Sequence, residues 1–248
     1  MSTPLLSAKT LIRESWTDFI RDWNHTFRIA AWLVLFPAIF FFVALVASPY
    51  ENVLFWTFVA LTIMEALMAI WIGIRLTRWI LVADRGEKIE KNERSLALVN
   101  ILPFLLVGIL EGLAVLGGML LFVFPGIYLA VAFMFSQFFL LEDGVWGTHA
   151  LSASYALVKG RWWPTFWRVL ATGFVFALLL IVGLKLLTGL LQLIAGSSKL
   201  SIVLEAQTLA NPIAYGARRL LDTVGQAIFL PIFITWQVKL FHALKKSR

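Results

Sequence analysis

Long uninterrupted blocks of apolar residues dominate this chain and restrict what it can fold into. They fall at about residues 29–47, 53–75, 97–122, 127–141, 168–195 and 220–241. A helix of roughly 20 apolar residues crosses the ~30 Å hydrocarbon core of a bilayer. Strands would alternate apolar with polar residues, and these blocks do not. Of the 248 residues, 60% are hydrophobic and 14% charged. A water-soluble fold has too little interior to hide so much apolar surface, whereas lipid tails solvate it. The fold expected is all-α: a polytopic transmembrane helical bundle of about six spans with interfacial amphipathic helices.

Residues 1–28 precede the first span and predict an amphipathic interfacial helix. Thr3-Pro4 supplies a start, and Leu5, Ala8, Ile12, Trp16, Phe19, Trp23 and Phe27 recur at steps of three and four. The alternative is a helix packed on the rest of the protein. Residues 29–248 form one six-helix domain. Within it Glu142-Asp143-Gly144 breaks the apolar run, residues 146–159 predict a surface helix, and residues 196–217 a polar connector with room for a short helix.

Lysine and arginine placement orients the chain. Lys9, Arg13, Arg21 and Arg28, then Arg75, Arg78, Arg85, Lys88, Lys91 and Arg94, then Lys159, Arg161 and Arg168, then Lys239, Lys245, Lys246 and Arg248 alternate with a far side holding Lys199, Arg218 and Arg219. The positive-inside rule therefore expects both termini in the cytoplasm. The net charge of +7 reads as a basic face against anionic phospholipid headgroups, with no nucleic-acid partner, because the charges occupy short loops between spans. Lys159, Arg161 and Arg168, interleaved with Trp162, Trp163 and Trp167, are the lipid-headgroup candidates.

Charges within the spans are functional candidates, since an unpaired charge there costs at least about 2.5–3.5 kcal/mol. At about 1.5 Å per residue, Glu65 lies ~15 Å deep, and Glu111 and Lys185 share a depth of ~21–24 Å. That shared depth predicts a Glu111–Lys185 pair or a common polar pocket. Asp222 follows Arg218 and Arg219 at ion-pair spacing. Two readings stay open: a structural pair that sets helix register, or a small-solute or lipid carrier built on Glu65, Glu111 and Lys185. Gly108 and Gly112 offer a face for close helix approach. They leave a homo-oligomer or membrane-protein partner open without establishing one.

Catalytic patterns are wanting. The chain has no cysteine, and His25, His149 and His242 form no metal-binding pair. No nucleophile elbow or phosphate loop is present. Asp143-Gly144 is similar to the start of a phosphatidyltransferase motif but lacks its arginine and further aspartates. The expectation is no enzyme, no metal and no cofactor.

Pro125-Gly126-Ile127-Tyr128-Leu129-Ala130, the acidic break at 142–144 and the segment from Ala150 to Trp163 together carry a family resemblance. The chain resembles the YciC-like six-helix bacterial inner-membrane proteins, and the membrane domain fused to some glycerophosphodiester phosphodiesterases. The resemblance implies the bacterial cytoplasmic membrane, six helices and no established activity. The soluble phosphodiesterase barrel has no counterpart here, so hydrolysis does not carry over.

Overall fold

Proline marks where the helices begin. Pro37, Pro103, Pro125, Pro164 and Pro212 each fall in the first turn of a helix, where a missing N–H breaks no intrahelical bond. The computed structural model describes residues 7–47, 51–87, 97–195 and 211–247. Every element among them is helical: α1 (Ala8–Ala30), a 3₁₀ turn (Ala31–Val34), α2 (Leu35–Ala47), α3 (Glu51–Asp84), α4 (Ile101–Leu121), α5 (Val123–Phe133), α6 (Ser136–Asp143), α7 (Thr148–Val158), α8 (Trp162–Ala195) and α9 (Pro212–Lys246). Six stretches are long and apolar enough to cross a membrane: Ala8–Val46, Asn52–Asp84, Ile101–Leu121, Val123–Asp143, Trp162–Leu186 and Pro212–Lys246. The protein is an all-α, polytopic membrane bundle. Its large apolar side chains are exposed in runs, with Val46 at 82% and Leu120 at 88%. In water such runs would drive aggregation.

Several boundaries differ from the sequence reading. The first helix begins at Ala8, where Ser7 Oγ accepts the Thr10 N–H at 3.1 Å. Thr3-Pro4 lies outside the described residues. Leu11 and Ser15 of α1 are fully buried and Asp18 binds Lys239, so one face of α1 packs on protein while Trp16 and Ile20 stay exposed. Helix α3 continues to Asp84, through residues assigned to the charged stretch. Residues 212–217, assigned to the connector, are the first turns of α9; residues 196–210 lie outside the described residues. The fourth apolar block is two helices, α5 and α6, parted at Met134-Phe135. The Ser154 hydroxyl of α7 explains the break: it donates to the Ala132 carbonyl at 2.7 Å and accepts the Phe135 N–H at 3.2 Å, replacing helix bonds lost there.

The described residues group into two compact units, and α1, α3, α8 and α9 contribute a segment to each. The first unit holds α1 up to Asp22, Gly73–Phe174 and the chain from Ile232. Here Val107 of α4, Leu140 of α6 and Ala150 and Leu151 of α7 form a buried cluster. Helix α4 returns as α5 through Phe122 alone. Gly118 backs onto Gly126 so closely that a Cβ on Gly118 would meet the Gly126 backbone at 3.0 Å. Gly144 ends α6 in the left-handed conformation, φ 69°, its N–H turned back to Leu140 and Phe139 carbonyls. That is the glycine stop expected at this position. The second unit, Trp23–Ile72 with Val175–Pro231, is centred on Phe40, Ala44 and Leu54, with Phe58 and Tyr215 packed against them.

Candidate functional site

A concavity in the first unit is walled by aromatic rings. Helix α5 supplies Phe124, Pro125, Tyr128 and Leu129, and the turn into α8 supplies Gly160, Trp162, Trp163 and Pro164. Together they bound a cleft of about 750 Å³, within the range of natural small-ligand sites. The sequence dictates the wall locally. Gly160 reverses the chain at φ 80°, and Pro164 starts the next helix, so Trp162 and Trp163 project from its first turn. Trp162 stacks on Tyr128 with ring centroids 5.4 Å apart, and its indole N–H donates to the Tyr128 carbonyl at 3.1 Å. Trp163 is left 59% exposed.

The predicted headgroup residues divide into two kinds. Lys159, next to Gly160, is exposed. Arg168 lies one turn beyond Pro164 and donates to its carbonyl at 2.7 Å. Lys159 thus adjoins one lining residue in the chain, and Arg168 is hydrogen-bonded to another. The Arg161 guanidinium donates to both the hydroxyl and the carbonyl of Ser247, which ties the start of α8 to the end of α9.

Glu111, Glu65 and Asp222 find partners inside their own units. Glu111 accepts the Ser136 hydroxyl proton at 2.8 Å. Lys185, the partner expected for it, belongs to the second unit. Glu65 pairs with Arg219, which also donates to Thr62 at 3.2 Å and lies over the Phe58 ring at 5.3 Å. Asp222 meets Arg218 at 3.4 Å, one turn away, as its spacing predicts. A Cβ at Gly108 would meet the Gln137 side chain of α6 at 3.3 Å and one at Gly112 would have open space, whereas Gly118 approaches backbone to backbone at Gly126.

An ionic network at the ends of four helices was not legible in the sequence. Asp84 (α3) accepts from Lys239 (α9) at 3.1 Å, and Lys239 also binds Asp18 (α1). Lys245 reaches Asp143 at 2.8 Å and Glu142 at 3.2 Å. Arg85 adds a contact to Glu142 at 3.2 Å. His242 is held between carboxylates, Nδ1 2.6 Å from Asp84 and Nε2 3.2 Å from Glu142. Only the imidazolium can donate from both nitrogens. The signal available beforehand was weak: acids at 84 and 142–143 and bases at 239–245 stand about a hundred residues apart in the chain.

Comparison with known proteins adds nothing to this geometry: no family model, no curated protein and no solved structure matches the chain.

Proposed function

We propose that this chain is a non-enzymatic, multi-pass component of a bacterial cytoplasmic membrane, of the YciC-like kind, that binds phospholipid at its cytoplasmic face. One observation carries the reading: an aromatic cleft with basic side chains next to its lining residues. Tyr128, Trp162, Trp163 and Leu129 offer an apolar slot of acyl-chain character. Lys159 and Arg168 adjoin its lining residues, the positive charge that an anionic headgroup requires. Tryptophan and tyrosine favour that depth, where a ring is half in hydrocarbon and half wet. The excess of lysine and arginine in alternate loops supports both termini in the cytoplasm. Carriage of a solute through Glu65, Glu111 and Lys185 has no observation of its own, since both glutamates have protein partners.

The test is lipid retention. The purified protein carries phosphatidylglycerol through detergent washing, counted by mass spectrometry. Leu129→Trp, which fills the slot, and a Lys159→Gln/Arg168→Gln double variant, which removes the charge, each lower the retained anionic lipid several-fold. A lipid profile identical to wild type in both variants overturns the reading.

A further inference from the structure

We infer that the hairpin formed by α4 with α5 and α6 lies along one face of the bilayer, its apolar tip sunk in the leaflet that holds the C-terminal end of α9, and does not cross to the far side. This goes beyond the lipid cleft and does not depend on lipid occupying it. It assigns the hairpin an interaction surface whose partner is the acyl-chain layer of a single leaflet.

Contacts within the first unit locate both ends of the α5–α6 segment. Glu142, at its end, binds His242 and Lys245. Phe135, Phe138 and Phe139, in its second half, all lie against the ring of Phe241 with centroids 5.1–5.9 Å apart. Tyr128, toward its start, carries Trp162 on its carbonyl and ring. The neighbour of Trp162, Arg161, is fastened to Ser247. All these contacts fall on the last turns of α9, just before or after Lys245 and Lys246.

Tyr128 and Glu142 are about 21 Å apart along helical chain. Were α5 and α6 upright beside α9, Tyr128 would stand about two-thirds of the way through ~30 Å of hydrocarbon. Trp162 and the charged Arg161 would be drawn in with it. The Arg161–Ser247 contact instead keeps them level with the basic tail. A segment whose two ends share one level runs across α9, along the membrane.

Helix α4 follows it. Val107 packs with Leu140, Glu111 meets Ser136 and Gly118 meets Gly126, so α4 is antiparallel to α6 and α5 over its length. The tip agrees with immersion rather than with a water-facing turn. From Gly112 to Ile127 no side chain is polar. Leu120, Leu121, Phe122, Val123 and Phe124 are all at least 60% exposed. Backbone groups at the turn are satisfied internally, the Phe122 N–H donating to Gly118 at 2.9 Å, as hydrocarbon demands.

The chain has no cysteine, so single cysteines report cleanly to a membrane-impermeant maleimide in intact and inverted vesicles. Asn52→Cys defines one face and Trp146→Cys the other. Phe122→Cys is expected to stay at the level of the cysteine-free chain when reagent is applied from the Asn52 face. A short polar insert carrying one cysteine after Phe122 draws the tip to the nearest water, and is expected to label from the Trp146 face. Leu121→Cys replaces Phe122→Cys if the latter does not accumulate. Labelling of any of these three from the Asn52 face overturns the inference.

Discussion

His242 shows how a residue unremarkable in sequence becomes the centre of a network. Held by Asp84 and Glu142, it joins α9 to α3 and α6. His242→Ala is expected to lower the melting temperature in detergent, because it leaves two carboxylates without their shared donor; an unchanged melting temperature would dismiss the network as a stabiliser.

Glu65 and Arg219 form the deeper pair, each side chain about a fifth exposed. Arg219→Met leaves a carboxylate without its counter-charge and is expected to cost about 3 kcal/mol, the lower end for a broken buried pair. Adding Glu65→Gln is expected to recover much of that. Losses that simply add in the double variant would show that the two do not interact. Ser154→Ala strands the Phe135 N–H and the Ala132 carbonyl. Chemical denaturation should register a loss of about 1–3 kcal/mol.

Among the elements, the hairpin of α4 and α5 depends on two glycines. A Cβ on Gly126 would come within 2.4 Å of the Met119 side chain and 2.9 Å of its backbone nitrogen. Gly126→Ala is expected to lose about 1–3 kcal/mol through overpacking. Gly112 has nothing within 4 Å, so Gly112→Ala should be neutral or gain up to about 1 kcal/mol in helix propensity. Melting temperatures of the two variants, compared side by side, check this; equal shifts would refute it. Sequence spacing had pointed to Gly108 and Gly112, because a small-residue repeat reveals room for an approach but not which helix makes it. Element types were readable, since apolar length, proline at helix starts and glycine stops act locally; many ends were not, because helices run on past the apolar blocks. The α5–α6 break was not, because the hydroxyl that stabilises it arrives from α7, some twenty residues on.

For the whole molecule, membrane residence follows from apolar surface that no interior accommodates. The full-length chain is expected in the membrane pellet and in solution only with detergent. Reporters fused to the two ends should read from the same side of the bilayer, and opposite readings would refute the orientation. Of the candidate site, Trp162 and Trp163 were visible as an aromatic and basic cluster, and the family resemblance grouped them with Tyr128 and Leu129; that these residues, more than thirty apart in the chain, wall one cleft was decided by the fold.

What the amino-acid order decided alone is the solvent and the secondary structure: helices long enough for a bilayer, and which loops are basic. These depend on local chemistry and on total apolar area. Which charges meet was decided only by the tertiary structure. Arg161 meets Ser247, Glu111 meets Ser136, and His242 meets two carboxylates on other helices. Partner choice depends on the rotation and crossing of whole helices, and those are set by packing summed over many distant residues, which hydropathy and spacing do not encode.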